Sequence, residues 1–268
     1  MFDALYIGAT GMRGQQMQID AIAQNVANLN TVGYRRNVVS FSEVAAAFAG
    51  ANSTGALTQL DASTAARMMD ATRVLGAGAM PNTVLSMVGG ELRQTGNPFH
   101  VAIDGAGFFE VLRNDDTLAY TRAGEFRVNA DGLLSASDGS PLANRIAIPS
   151  DAHDLQITTD GRVLALLGDD TNSRELGRID LIGFPNAMSL KSIGDNLYVA
   201  TREAGQPQTG APGEAGLGAL KQGFVENSNV QMSDELVNLM LAQRAFELNS
   251  KIIQAADQML GIANGLYR

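Results

Sequence analysis

Residues 233–268 read SDELVNLMLAQRAFELNSKIIQAADQMLGIANGLYR and carry the pattern that decides the fold. Ser233 can cap the start of a helix, and Asp234 and Glu235 follow where carboxylates interact favourably with the helix dipole. Apolar side chains then recur in alternating steps of four and three residues. This spacing predicts a long helix with one apolar seam typical of a coiled coil. The seam comprises Leu241, Ala245, Leu248, Ile252, Ala255, Met259, Ile262 and Leu266.

The other end of the chain repeats the pattern over residues 3–30. Four apolar residues lie seven positions apart, and two more follow three positions after members of that series. The spacing predicts a second amphipathic helix, which we expect to end before Gly33, a residue able to adopt a positive φ. Its predicted seam consists of Leu5, Met12, Ile19, Ile22, Val26 and Leu29.

Two asparagines lie beside this N-terminal seam, with Asn25 next to Val26 and Asn28 next to Leu29. Polar residues at the edge of a seam can fix the register of paired helices by hydrogen bonding across them. Alternatively, Asn28 and Asn30 cap the end of the helix. The sequence leaves both interpretations open.

The middle of the chain has a different texture, with short apolar runs separated by turn dipeptides such as Asp104-Gly105, Asp131-Gly132 and Asp160-Gly161. Such pairs at fairly regular spacing predict β-hairpins in an all-β domain. The predicted fold class is therefore α+β, with paired N- and C-terminal coiled-coil helices and a central β domain built from hairpins. We expect residues 1–35 and 227–268 to form the helical core domain, 36–94 an extended connector, and 95–226 the outer β domain.

Composition excludes several functions. The 268 residues carry a net charge of −9, and an acidic chain is a poor nucleic-acid binder. The chain has no cysteine and two histidines, which excludes thiol catalysis and makes a histidine-built metal site improbable. Turns such as 129–132 and 138–139 lack the acidic twelfth ligand of a calcium loop, so hairpin turns explain them better. We predict no catalytic residue, cofactor or metal.

Targeting signals are absent from the sequence pattern. The N-terminus lacks a basic region followed by an apolar run, so it does not resemble a cleavable secretory signal. No apolar run approaches the ~18 residues that a transmembrane helix needs. We therefore expect no membrane insertion, and any export is expected to use a route without a cleavable signal peptide.

Residues 25–35, NVANLNTVGYR, resemble the N-terminal signature of the bacterial flagellar rod and hook proteins. Further blocks of that family follow in the same order and cover nearly the whole chain. Within the family, chain length and the continuous β blocks are most similar to distal-rod members. On this resemblance Asn25, Asn28, Thr31 and Gly33 are motif positions that set register. The matching blocks are AIDGAGFF at 102–109, YTRAGEF at 120–126, IGDNLY at 193–198, GFVENSNV at 223–230, ELVNLM at 235–240 and QRAFE at 243–247.

The resemblance implies a non-enzymatic structural subunit. Such proteins pair their terminal helices into an inner coiled coil and stack helically into a hollow shaft, with the β domain outside. The shaft crosses the periplasm, transmits torque from motor to hook and conducts exported subunits. Implied partners are further copies of the chain, other rod and hook proteins, the rings around the rod and the flagellar type III export apparatus.

Other functions stay open at this stage. Within the class, the chain could be a proximal-rod or hook-like protein. From a different class, it could be a secreted β-rich binding module on a helical oligomerisation stalk, and an enzyme is the least favoured. A stalk needs a seam at one end, whereas this chain has one at both. Because two isolated helices roughly balance their ordering entropy, we expect the ends to become fully ordered only on assembly.

Overall fold

A computed structural model describes residues 2–43, 79–113, 115–168 and 172–265. It contains an N-terminal helix, a central region of short strands and a C-terminal helix, which confirms the predicted α+β combination. Residues 44–78, most of the expected connector, lie outside the described residues. The flanks of that segment are extended and form a two-stranded sheet, which residues 37–43 and 79–85 build together.

The two helices have bounds slightly different from those expected. Helix α1 spans Phe2–Ala27 and helix α2 spans Met232–Gly265. Because α1 ends at Ala27, the predicted seam residue Leu29 lies in the following turn. Because α2 begins at Met232, Ser233 lies in the first turn and not at the cap. The acidic first turn is present as expected, with Asp234 and Glu235.

Seventeen strands lie between the helices in the described part of the chain. The largest sheet has six strands in the order β13-β14-β6-β5-β12-β15, and every pairing within it is antiparallel. A three-stranded antiparallel sheet has the order β11-β10-β9. The strands are β1 Asn37–Glu43, β2 Ala79–Leu85, β3 Leu92–Gln94, β4 Val101–Asp104, β5 Phe108–Leu112, β6 Leu118–Thr121, β7 Arg127–Val128, β8 Leu134–Ser135, β9 Ala152–Ile157, β10 Arg162–Leu167, β11 Arg174–Arg178, β12 Leu181–Gly183, β13 Lys191–Gly194, β14 Leu197–Val199, β15 Gln208–Gly210, β16 Ala219–Gln222 and β17 Phe224–Glu226.

Two apolar clusters cover the faces of the six-stranded sheet. Successive side chains of a strand point to opposite faces, so neighbouring Phe108 and Phe109 of β5 enter different clusters. Phe109 packs edge-on against Phe126 with ring centroids 4.9 Å apart. Phe108 packs in the same manner against Phe184 and Tyr198. The β region thus has its own core, independent of the helices.

The chain divides into two compact units. The helical unit comprises residues 1–26, 37–84 and 232–268, and the β-rich unit comprises 27–36 and 85–231. The turn after α1 and residues 227–231 therefore group with the strands, although the sequence pattern assigned both to the helical domain. Two short strands explain part of this grouping, because β3 within 85–94 pairs with β17 just before residue 227.

Gly33 anchors the turn after α1 inside the β-rich unit. Its φ is +71°, and its N–H donates to the carbonyl oxygen of Glu226 at 2.7 Å. A Cβ at this position would lie 2.5 Å from the backbone nitrogen of Ala123. Position 33 therefore requires glycine for two reasons: its backbone conformation and the close approach of another chain segment.

Replacing Gly33 with alanine should destabilise the β-rich unit more than the same change at Gly96. Gly96 also has a φ of +71°, but a Cβ there would meet nothing within 4 Å. We expect Gly96→Ala to cost about 1–2 kcal/mol from the left-handed backbone alone, and Gly33→Ala a further ~1–3 kcal/mol from overpacking. Urea unfolding of both variants measures the difference, and equal losses would contradict the close approach at Gly33.

Candidate functional site

Three charged side chains meet in the interior of the β-rich unit. Arg35, Arg122 and Glu226 are each at most 4% exposed, and we call them the ionic junction. The Glu226 carboxylate lies between the two guanidinium groups. Its Oε1 is 2.8 Å from Nη2 of Arg35, and its Oε2 accepts a hydrogen bond from Nε of Arg122 at 2.7 Å. The three residues come from three separate signature blocks of the sequence.

Backbone groups complete the polar surroundings of the junction. Glu226 Oε1 also accepts from the N–H of Gly90 at 2.8 Å. Arg122 donates to the carbonyl oxygens of Gly105 at 2.6 Å, Ile103 at 3.2 Å and Gly107. Because each of these bonds has a preferred direction, they form together in only one arrangement of the segments that supply them.

Burial also shapes the electrostatics. Desolvation lowers the pKa of Arg122, and the Glu226 carboxylate opposes that shift. Burial raises the pKa of the nearby Tyr198 to about 12, and the Arg35 charge counteracts part of that rise. Two cations thus share one buried anion, which is tolerable because the carbonyl oxygens supply further negative charge.

Two asparagine side chains form hydrogen bonds at the end of α1 and in the segments that follow it. Asn25 pairs with Asn37 twice, because its Oδ1 accepts from the Asn37 N–H at 2.8 Å and its Nδ2 donates to the Asn37 carbonyl oxygen at 2.9 Å. Asn28 accepts from the Thr31 hydroxyl at 3.1 Å, within the turn that follows α1. These bonds are local to the helix end and to β1.

Asn229 is a structural residue that sequence reasoning missed. Its Oδ1 accepts from the N–H of Arg36 at 2.7 Å, and its Nδ2 donates to the carbonyl oxygens of Val88 at 2.8 Å and Ser86 at 3.2 Å. It therefore joins residues before α2 to residues after α1. The only signal in the sequence was the repeated asparagine in the block at 223–230.

Within the helical unit, α1 and α2 approach each other through small residues of α1. A Cβ on Gly8 would lie 2.9 Å from Cγ1 of Ile253, and one on Gly11 would lie 3.2 Å from Nδ2 of Asn249. The numbers rise along α1 as they fall along α2, so the helices run antiparallel. The glycines that weaken α1 as an isolated helix thus allow the second helix to come close.

The predicted seam of α2 does not lie on the contact face. At about 100° per residue, Ala242, Asn249 and Ile253 share one side of the helix, and the seam lies about 120° away from it. Ala242 is buried. Five large side chains of the seam are between 56% and 65% exposed, and they are Leu241, Leu248, Ile252, Met259 and Ile262. Ala255 is exposed as well, and Ala245 is half-buried. Leu266 lies outside the described residues.

The predicted seam of α1 is covered to a greater extent. Ile22 is buried, and Met12, Ile19 and Val26 are half-buried. Leu29, in the turn after the helix, is half-buried as well. The side chain of Leu5 lies outside the described residues. The two helices therefore differ, since only α2 presents a broad apolar face to solvent in the described part of the helical unit.

The possible calcium-binding turns and His100 form local hydrogen bonds. The side-chain oxygen of Asn129 accepts from the N–H groups of Asp131 and Leu133, and Asp138 accepts from Ser140, so both sites are turns. His100 lies within hydrogen-bond distance of Thr95 and Asn97. Across the described ranges, no group of three or more acidic or histidine side chains is arranged to hold a metal ion. Nor do those ranges include a helix long and apolar enough to cross a membrane.

Family models match three parts of the chain. Residues 5–35 match "Flagella basal body rod protein", residues 102–165 match "Flagellar hook protein FlgE/F/G D1 domain", and residues 221–266 match "Flagellar basal body rod FlgEFG protein C-terminal". The ionic junction takes one residue from within the first match, one from the second and one from the third.

Curated relatives are similar over the full length. The flagellar basal-body rod protein FlgG of Agrobacterium fabrum is 37% identical over 97% of this chain and 98% of its own. Proteins of the same name from Borreliella burgdorferi and Bacillus subtilis are 34% and 36% identical, over 100% and 97% of both chains. The chain therefore belongs to the family of flagellar basal-body rod proteins. It is a structural subunit of the flagellar rod, and the full-length matches support the distal rod.

Removing the buried anion of the junction should cost far more than removing a surface one. We expect Glu226→Gln to lower the free energy of unfolding by about 3–5 kcal/mol, because it leaves two buried guanidinium groups without a counter-charge. The matched control is Asp104→Asn, which breaks an exposed 2.6 Å ion pair with Lys221 and should cost ~1 kcal/mol or less. Urea unfolding measures both, and a Glu226→Gln loss no larger than that of the control would show that the junction is not structural.

Proposed function

We propose that copies of this chain polymerise helically into the hollow shaft of the distal rod, and that the exposed apolar seam of α2 is a subunit interface. The carrying observation is that Leu241, Leu248 and Ile252 are more than half exposed, while another side of the same helix contacts α1. In the described part of the helical unit, α2 thus contacts α1 through one side and presents the apolar seam on another.

Energetics favour covering this seam. Fully burying a leucine, isoleucine or methionine side chain is worth about 1.5–3 kcal/mol, and the seam offers five such side chains. Monomeric proteins seldom expose an apolar face of this length, and those that do generally use it for association. An interface between identical subunits that does not close into a ring extends into a helical polymer.

The pairing of α1 with α2 supplies the inner part of such a subunit. Gly8 and Gly11 support the pairing, because a Cβ added at either position would lie 2.9–3.2 Å from a side-chain atom of α2. We propose that this antiparallel pair packs on neighbouring pairs as a coiled-coil layer. Close-packed apolar contacts between helices resist deformation, and a shaft that transmits torque requires that rigidity.

The proposed partners, location and export route follow from the proposal that the chain is a subunit of the distal rod. The subunit is proposed to be non-enzymatic, to contact other rod and hook proteins and the surrounding rings, and to cross the periplasm within the rod. Export through the flagellar type III apparatus would need no cleavable signal. The binding-module alternative predicts a single oligomerisation helix, and the two-helix unit found here favours an axial subunit over it.

A charge in the middle of the seam should block assembly without unfolding the monomer. Leu248→Asp alters a side chain that is 61% exposed, so we expect the free energy of unfolding to change by ~1 kcal/mol or less. Loss of its burial in the polymer, at ~1.5–3 kcal/mol, should raise the critical concentration for polymerisation at least about tenfold. Light scattering against protein concentration measures this.

The matched control is Gln243→Asp, which adds the same charge at an exposed position of α2 away from the seam. We expect its critical concentration to stay within about twofold of the wild-type value. Polymerisation of Leu248→Asp at the wild-type concentration would refute the seam as an interface.

Hydrogen exchange on the dilute monomer should distinguish the helical unit from the β-rich unit by their amide exchange rates. Backbone amides of α1 and α2 should exchange faster than those of β4, β5 and β6, and should become protected on polymerisation. Residues 29–36 and 227–231 should behave like the strands, because Gly33 and Asn229 bond within the β-rich unit. Strong protection of both helices in the dilute monomer would instead favour a self-contained helical pair.

A further inference from the structure

A cavity of about 430 Å³ opens beside the ionic junction within the β-rich unit. Its volume falls in the range of small-molecule sites, ~300–1,000 Å³. Apolar side chains form part of the lining, among them Phe108, Phe184 and Leu217. Arg35 and Arg122 line it as well, so a cavity of mixed polar and apolar lining has two cationic residues in its wall.

The charges around this cavity do not balance. Both guanidinium groups are 4% exposed, and Glu226 is the carboxylate that pairs with each of them. Arg122 compensates through three backbone carbonyl oxygens. Arg35 has one such bond, to the carbonyl oxygen of Val88. Counted over the described residues of the junction, a net positive charge is thus held out of water at the wall of the cavity.

One hydrogen-bond donor of Arg35 is also unsatisfied among the described residues. Its Nε is buried and has no hydrogen-bond partner among the described residues. A buried donor without a partner costs about 1–3 kcal/mol in proteins, and more when it is charged. An anion in the cavity would provide a counter-charge for the cationic junction that contains this N–H.

We propose that this cavity binds a carboxylate carried on a small apolar group. The carboxylate pairs electrostatically with the Arg35 guanidinium, and the apolar part contacts the aromatic wall that Phe108 and Phe184 provide. The mixed lining distinguishes this ligand from an inorganic anion, which would gain nothing from the apolar surface. The same chemistry is available from a free short-chain acid and from a glutamate side chain of a neighbouring copy.

The test follows the Nε–H signal of Arg35 by NMR on the full-length monomer during titration with sodium butyrate. Comparison with Arg35→Lys assigns the signal, because lysine has no guanidinium Nε–H. We expect a saturable shift at millimolar butyrate. Butanol, and sodium chloride at equal ionic strength, should leave the signal in place, since one lacks the charge and the other the apolar group.

A cavity-filling variant checks the location without touching the junction. Ala187 lines the cavity, and Ala187→Phe should weaken butyrate binding at least tenfold, whereas Ala187→Ser should change it less than twofold. The absence of a saturable shift, a response to chloride equal to that of butyrate, or full binding by Ala187→Phe would each overturn the proposal.

Polymerisation assays then identify the source of the carboxylate. If a neighbouring copy supplies it, saturating butyrate should raise the critical concentration of the wild-type chain and not that of Ala187→Phe. If polymerisation does not respond while the Arg35 signal does, a free acid is the ligand. The binding experiment uses the monomer, so its outcome does not depend on whether the chain polymerises as proposed above.

Discussion

The carboxylate of Glu226, buried between Arg35 and Arg122, is the constraint on which the β-rich unit depends. A buried anion with two cations is stable only when every partner is present, because each charge left alone would keep the full cost of its desolvation. The three residues belong to segments that are far apart in the sequence. Their meeting fixes how these three segments lie against one another within the β-rich unit.

Neutral contacts around the junction enforce the same geometry. Gly33 lies against the backbone next to Arg122 and bonds to the backbone of Glu226. Asn229 bonds to backbone groups on both sides of the segment that the structure leaves undescribed. A family signature that follows a helix in the sequence is therefore, in the folded chain, a connector built into the β-rich unit. This placement explains why position 33 is glycine, since the residue there has a positive φ and lies against another backbone segment.

Helix α2 illustrates the difference between an apolar pattern and a packed surface. Its heptad pattern predicts one seam, and a coiled-coil interpretation would pair that seam with α1. In the chain, α1 instead contacts the side of Asn249 and Ile253, where glycines of α1 allow a close approach. The large apolar side chains of the seam that the structure describes stay exposed to solvent. A periodic pattern thus shows that a face needs a partner, but not whether the partner is in the same chain.

The sequence by itself determined that the chain has a helix near each terminus and a β-rich middle, and it identified the family. Periodicity, turn dipeptides and ordered signature blocks are local properties that depend on residue type and spacing alone. It also indicated Gly33 as a position of special backbone geometry. Only the tertiary structure decided which side of α2 is buried, that residues 27–36 and 227–231 group with the strands, and that Arg35, Arg122 and Glu226 form one cluster. Those features depend on contacts between residues far apart in the sequence, such as Gly8 and Ile253 or Arg35 and Glu226, for which a single sequence carries no spacing rule.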